Sequence, residues 1–358
     1  MGKKRGYFTF LFRTAPRPDW IRKHGGVIYH VGRHSRTVSA MLESPAQLKR
    51  IMLKEDLLYA EPDRILILPQ PRVKKVFGME ELKRYAKINQ QTLTWNVQKV
   101  WGGSPNPYAG SGVRVGIIDT GIDLDHPDLK ANIAGGINLV NTGRKPNDNN
   151  GHGTHIAGIV AAVNNKIGVV GVAPAARLYA IKAFDARGAA TITNIIRGIE
   201  WGIDSGMDIL NMSFGSRTGT PALIDAVNAA NRRGIVCVAA AGNEGNASGT
   251  GDNVSFPGRI PAAVAVAALN RNNKRASFSS TGSSVDIAAP GVNIFSTYSN
   301  GKYAILSGTS QATPHVSGVA AVYRQKRGGA STVKKRLRAR AVSLGPDRLY
   351  GAGLVQVK

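Results

Sequence analysis

The chain has 358 residues, a mass of 38.0 kDa, and is 42% hydrophobic and 19% charged; it can bury a large core, which excludes wholesale disorder, and no apolar run reaches the roughly 18 residues that span a bilayer. Its single cysteine, Cys237, excludes an internal disulfide framework and a cysteine-based zinc cluster. Lys and Arg total 47 against 22 Asp and Glu, a net charge of +25 spread over residues 1–88 and 89–358 alike, so no detachable basic tail carries it.

Lys3, Lys4 and Arg5 precede an apolar stretch at residues 7–12. Arg13 interrupts that stretch and no small-residue cleavage site follows, so it reads as a first β-strand rather than an export signal. The expectation is a cytoplasmic protein on the sequence as given, or a secreted one if an export signal has been removed. Residues 19–24 form a short helical segment, and 27–31 and 37–42 alternate like paired strands. A helix is expected over 44–53, with Ser44 as cap, Pro45 in the first turn and Gln47 completing a capping box. Residues 57–59 and 64–68 complete a small α+β unit. Pro69-Gln70-Pro71-Arg72 breaks the pattern, and 80–87 reads as a short helix within the connection. The predicted division is therefore 1–68, a linker over 69–90, and a main domain over 91–358.

After residue 90 the rhythm changes. Strands at 113–118, 177–183, 208–212, 235–240, 262–268 and 285–288 are interleaved with helices at 153–163, 191–205, 221–233 and 309–327. This alternation predicts an α/β fold with a mostly parallel central sheet covered on both faces. Several strand or loop ends carry chemistry: Asp119-Thr120-Gly121, Asn149-Asn150-Gly151-His152-Gly153-Thr154-His155, Gly242-Asn243-Glu244-Gly245, and Thr309-Ser310-Gln311-Ala312-Thr313-Pro314-His315. An acid, an imidazole, an amide and a hydroxyl are offered where open α/β sheets bind ligands, in the order Asp, His, Ser of a serine-nucleophile machine.

The long segments around these residues, Gly116 to Asp123, Gly151 to Gly158, Ala239 to Gly245 and Ser307 to Gly318, resemble the subtilisin-family serine proteases, and the bacterial subtilisins in particular. The resemblance covers residues 90–358 and implies the subtilisin-like three-layer fold. It implies Asp119, His152 and Ser310 as the triad, and Asn243 with the Ser310 backbone N–H as oxyanion donors. Removing one such donor costs about 3–4 kcal/mol of barrier, a magnitude known from subtilisin itself. Gly188, Ala189 and Ala190 correspond to one edge that pairs with the substrate backbone, and Ser213, Phe214 and Gly215 to the other. Ala240, Ala241 and Gly242 correspond to a wall of the first specificity pocket and Ser255 to its base. Small residues there, with no buried Asp, predict broad specificity leaning toward Phe, Tyr, Leu or Met, with Glu244 at the rim tolerating a basic residue.

The resemblance also implies a structural Ca²⁺ held by the Gln91, Asp128 and Asn165 side chains and the carbonyls of Val163, Ile167 and Val169, an oxygen set that suits a hard cation. His126, near Asp123, Asp125 and Asp128, is expected to be structural, as are His155 and His315. Cys237 reads as a buried small hydrophobe. No organic cofactor is implied. Residues 1 to about 88 resemble the subtilisin propeptide, which acts as chaperone and inhibitor with its tail in the cleft. That makes the chain's own N-terminal part its expected partner beside polypeptide substrates. About 20 residues separate Leu68 from the mature-like segment 91–97, which places the processing site near 68–72 or near 87–90.

The basic run Arg324, Lys326, Arg327, Lys334, Lys335, Arg336, Arg338 and Arg340 lacks interleaved aromatics and reads as a solvated helix with weak, nonspecific polyanion contact. The function expected is a self-processing serine endopeptidase. The competing expectation is a catalytically silent polyanion-binding protein on a protease fold.

Overall fold

The computed structural model describes residues 5–69, 72–78, 80–81, 91–325 and 328–357. The helix expected over 80–87 lies outside the described residues from 82 onward, as do Lys326 and Arg327 of the basic run.

Near the N-terminus, β1 (Gly6–Phe12), β2 (Val27–Val31), β3 (Thr37–Leu42) and β4 (Leu57–Pro62) form an antiparallel sheet in the order β2-β3-β1-β4. Two short helices, α1 (Pro18–Lys23) and α2 (Pro45–Ile51), close it. Gln47 Oε1 accepts the Ser44 backbone N–H at 3.2 Å, as the capping-box reading requires. Phe10, Phe12, Ile21, Val38, Ala40, Leu42 and Ile51 make a local core.

The chain then runs through two strands that belong to other sheets. β5 (Ile65–Ile67) pairs antiparallel with β10 (Ala189–Thr191). β6 (Arg72–Phe77) pairs antiparallel with β16 (Lys302–Ser307), which also pairs with β15 (Ile294–Tyr298). Phe77 is fully buried, its ring edge-on to Phe295 at 5.7 Å.

A short helix, α3 (Trp95–Trp101), leads into the main sheet. Its strands are β7 (Arg114–Asp119), β8 (Ile133–Asn138), β9 (Arg177–Lys182), β11 (Ile209–Met212), β12 (Val236–Ala240), β13 (Ala263–Leu269) and β14 (Ile287–Pro290). They lie in the order β14-β13-β12-β11-β7-β9-β8, all parallel. Successive residues face opposite layers, as the two-residue period of a strand demands. Val115, Ile117, Ile209, Val236 and Val238 join one core with α4 (His152–Ala161) and α7 (Thr309–Gln325). Ile118, Leu210, Cys237 and Ala239 join the other, with α5 (Ile192–Asp204) and α6 (Pro221–Arg232). The result is the three-layer α/β arrangement the alternation predicts. Strand order reverses around β7, so the carboxyl end of β7 opens onto the crevice where ligands bind in such sheets. The small helices α8 (Ala330–Ala339) and α9 (Asp347–Tyr350) complete the chain.

Several strands lie where the sequence predicts none, among them β6, β8, β10, β15 and β16. β8 carries Gly135 and Gly136 and lies at the sheet edge, so it lacks the apolar run of a buried strand. β6 is recognisable only through its pairing with a hairpin more than two hundred residues away, and that hairpin's first strand, β15, was also not foreseen.

Candidate active site

Asp119 ends β7 and is fully buried. Its Oδ1 accepts the Thr120 backbone N–H at 2.8 Å and lies 2.8 Å from His152 Nδ1. His152 opens α4, after Gly151 in a left-handed conformation (φ 108°) where a side chain would strike the Tyr298 ring. Burial works to lower the His152 pKa; the charge and hydrogen bond of Asp119, with the charge of Asp148, outweigh it and hold the value above that of an ordinary histidine.

Ser310 lies in the first turn of α7 and is 4% exposed. Its hydroxyl donates to the Ser213 carbonyl at 2.8 Å rather than to His152, whose Nε2 has no hydrogen-bond partner among the described residues. Ser213 Oγ returns a bond to the Ser310 carbonyl at 3.0 Å. Asn243 Oδ1 accepts from the Thr309 N–H and hydroxyl at 3.0 and 2.9 Å, which turns its Nδ2 toward the Gly308–Ser310 backbone. An acid, a base, a hydroxyl and an amide donor are thus offered at the ends of four different elements, β7, α4, α7 and β12, the set required for acyl transfer through serine.

Asp148 was not singled out in the sequence, yet it organises this end of α4. Its carboxylate accepts from Thr120 Oγ1, the N–H groups of Asn150, Gly151 and Thr154, and Thr154 Oγ1, at 2.6–2.9 Å. A carboxylate two residues before an Asn-Gly turn and a helix start was the available signal. Lys182, buried at the end of β9, donates to the Thr120 carbonyl.

One side of the cleft is occupied by the chain itself. Ile67 and Leu66 lie opposite Ala189 and Ala190, and the Leu68 N–H donates to the Gly188 carbonyl at 2.8 Å. Leu66 and Leu68 are buried while Ile65 and Ile67 are 67% and 64% exposed, the alternation of a strand lying on a surface. Among the described residues, the backbone bonds of 65–68 run to this edge and none runs to Ser213, Phe214 or Gly215. The Phe214 side chain is in the core against Phe184, so that edge offers the cleft only its backbone.

Where the resemblance implies a specificity pocket, the Ser255 N–H donates to the Ala241 carbonyl at 2.7 Å. The carboxylate of Glu244 turns inward rather than standing at the rim: its Oε2 accepts the hydroxyls of Ser255 and Ser280 at 3.1 and 3.3 Å, beside Gly242. Ala240 and Ala241 are buried in the wall.

Five of the six expected cation ligands come together. Gln91 Nε2 donates to the carbonyls of Val163 and Val169 at 2.6 and 2.9 Å, and to Asn165 Oδ1 at 3.3 Å. Asn165 Nδ2 lies 3.0 Å from Asp128 Oδ1. Gly168 passes so close to Asp128 and Tyr303 that no side chain fits there. Among the described residues no hydrogen bond places the sixth ligand, the Ile167 carbonyl, in the group, although the Ile167 N–H donates to Asn165 Oδ1 at 2.9 Å. Burial raises the Asp128 carboxyl to about 6, against the bonds it accepts from Val169, Asn165 and Tyr303. Three oxygens converging on one point beside a buried carboxylate fit a hard cation, provided the Gln91 amide presents its oxygen there.

The three histidines expected to be structural, His126, His155 and His315, are taken by backbone or amide partners. His155 Nε2 meets the Ile294 and Ala304 carbonyls, and burial lowers its pKa to about 3. His315 meets Asn96 and the Gln311 carbonyl, and burial lowers it to about 4. His126 meets the Lys302 carbonyl and the Asp128 N–H. Burial pushes the Cys237 thiol up to about 12. In the basic run, Arg324 pairs with Asp208, Arg338 with Asp286, and Lys334 donates to Asn231 and the Ala262 carbonyl. Among the described residues no helix is long and apolar enough to cross a membrane.

Comparison with known proteins gives one answer. The model of the subtilase family matches residues 110–353. Subtilisin E of Bacillus subtilis (strain 168) is 41% identical over 348 residues, 96% of this chain and 86% of that protein. Subtilisin Savinase of Lederbergia lenta is 47% identical over 272 residues, 75% of this chain and 98% of that protein. A thermostable alkaline protease of Halalkalibacterium halodurans is 43% identical over 289 residues, 79% of this chain and 78% of that protein. A quarter of the chain thus lies outside a match that takes in nearly all of Savinase. The chain belongs to the subtilase family, related to the bacterial subtilisins, and is a serine endopeptidase.

Proposed function

We propose that this protein is a broad-specificity endopeptidase made as a self-processing proenzyme, with Asp119, His152 and Ser310 as its triad. The Ser310 hydroxyl leaves the Ser213 carbonyl for His152 Nε2 and attacks the scissile carbonyl as His152 takes its proton. Asn243 Nδ2 and the Ser310 N–H receive the oxyanion. His152 passes the proton to the departing amine, and Asp119 holds the ring in the required tautomer. The observation that carries this reading is His152 fixed on buried Asp119 at 2.8 Å, on the same crevice as the Asn243–Thr309–Ser310 cluster.

Residues 1–68 serve as chaperone and inhibitor, 69–90 hold the processing site, and 91–358 are the catalytic domain. What supports this is residues 65–68 lying antiparallel on the 188–191 edge as a cleaved product would. Large apolar or aromatic residues are preferred before the scissile bond, because the wall residues 240–242 are small. Gln91, Asp128, Val163, Asn165, Ile167 and Val169 hold a structural Ca²⁺, which would neutralise the buried carboxylate and tie the loop to the N-terminal segment.

The test is labelling by a serine-directed fluorophosphonate with intact mass in parallel. Wild type should label and yield a fragment starting between residues 69 and 91; Ser310→Ala should do neither. Labelling that survives Ser310→Ala would refute the nucleophile, and full-length mass for both proteins after long incubation with calcium would refute self-processing.

A further inference from the structure

Gln311 follows the nucleophile and is fully buried, yet neither Nε2 nor Oε1 of its side chain has a hydrogen-bond partner among the described residues. Its backbone is spent: the N–H donates to the Gly308 carbonyl and the carbonyl meets His315 Nδ1. A buried amide with both polar atoms unpaired is costly and needs a reason.

The position of the amide supplies one. A carbon placed on Gly308 where a side chain would begin lies 2.8 Å from Gln311 Oε1, 3.6 Å from Asn243 Nδ2 and 3.7 Å from the Ser310 nitrogen. The amide therefore shares a nook with the oxyanion donors. The nook is on the exit side of the cleft: the chain enters along residues 188–191, while β6 leaves along β16 with Arg72 opposite Ser307, the residue before Gly308. In acyl transfer the amine departs on that side, and the water that resolves the acyl-enzyme arrives by the same path in reverse. His152 Nε2, the base that must deprotonate this water, is likewise without a partner.

We propose that Gln311 is a positioning residue for the deacylating water, which it holds through one or both of its unpaired amide atoms; this rests on the triad assignment above. The water oxygen bonds to the acyl carbon while His152 takes its proton. The bond from that carbon to Ser310 Oγ then breaks, and His152 returns the proton to Ser310. The gain is confined to deacylation, because acylation has the amine, not water, in that place.

The experiment compares wild type with Gln311→Met and Gln311→Leu on one peptide ester and the matching anilide, with an added amine competing for the acyl-enzyme. Both variants should lose about tenfold in deacylation, the scale of one good hydrogen bond, and send more acyl-enzyme to the amine, with anilide kcat/KM nearly unchanged. Equal loss in both steps with unchanged partition would overturn the proposal. Fluorophosphonate labelling reads the triad without deacylation, so variants that still label separate failure of this proposal from failure of the triad. Should both variants fail to label, the wild-type acyl-enzyme decides by crystallography: a water hydrogen-bonded to the Gln311 amide supports the proposal, and a dry amide overturns it.

Discussion

Glu200 on α5 grips Ser35, between β2 and β3 of the N-terminal sheet: its Oε1 accepts the Ser35 backbone N–H at 2.9 Å and the Ser35 hydroxyl at 2.5 Å. The N–H groups of Arg33 and His34 point to the same carboxylate, and His30 Nε2 stands 3.3 Å from its Oε2. A single buried side chain thus collects the turn that leads into β3.

This contact predicts acid sensitivity. Burial alone would raise the Glu200 pKa, but the close approach of His30 and the bonds from Ser35 bring it down to about 2. A carboxyl depressed in the folded state stabilises above its unfolded value, about 4.3, and the contribution fades as pH falls toward 2. In uncleaved Ser310→Ala protein, amide exchange at residues 33–39 should accelerate in that window. Glu200→Ala should show the faster exchange already at neutral pH, with β11 unchanged. Identical exchange at 33–39 with and without Glu200 would contradict the anchoring role.

Catalysis has the opposite dependence. In the proposed mechanism neutral His152 accepts the proton, and its pKa is held above the ordinary value of about 6.5. Activity should therefore rise with pH through that value and stay high into the alkaline range. Asp119→Asn should cost about 10⁴ in kcat and move the acid limb downward, since the charge that raises the histidine is gone. Initial rates on a small peptide substrate check both; a maximum near pH 4 is incompatible with the mechanism.

Calcium should act on stability rather than chemistry. An ion bound only by the folded loop stabilises by linkage. Chelation is expected to lower the unfolding temperature and speed autolysis, and Asp128→Ala or Asn165→Ala to blunt the response. The readout is the melting curve of calcium-loaded Ser310→Ala protein, before and after excess chelator. An unchanged curve would count against the site.

Peroxide tolerance follows from Gln311. Most subtilisins carry a methionine after the nucleophile, and its sulfoxide beside the oxyanion donors is bulky and polar. Gln311 has no sulfur, so wild type should keep activity through an exposure that inactivates Gln311→Met. Residual activity on a chromogenic peptide, with autolysis followed separately, decides. Equal and rapid loss in both would show that position 311 does not control it.

The parallel strands and the helices between them were legible because each is a local apolar pattern bounded by its own Gly or polar punctuation. Asp119, His152, Asn243 and Ser310 stood out because their neighbours are unusual as well as themselves. What escaped was non-local. Glu200 looks like an ordinary polar position in an amphipathic helix until Ser35 arrives from 165 residues away. Asp148 works through backbone N–H donors, which leave no mark in side-chain pattern. Arg324 and Arg338 read as solvated charge because their partners, Asp208 and Asp286, lie 116 and 52 residues back. The inward turn of Glu244 depends on Ser280, a serine that nothing nearby distinguishes.

β5 and β6 are each tied to the body by a partner strand of their own, β5 to β10 and β6 to β16, the strand that leads into Ser310. If the proposed processing falls between Leu68 and Arg72, the chain is therefore bolted down on both sides of the severed bond. A cut between Leu68 and Arg72 would leave both new ends held where they were, with Leu66 and Phe77 still buried as separate anchors. The Stokes radius would not report that the backbone had parted; separation of the two pieces under denaturing conditions would. On the proposed inhibitor role, a preparation that migrates as one species can be fully cut and still silent, with activity expected only when the N-terminal piece is dislodged or digested.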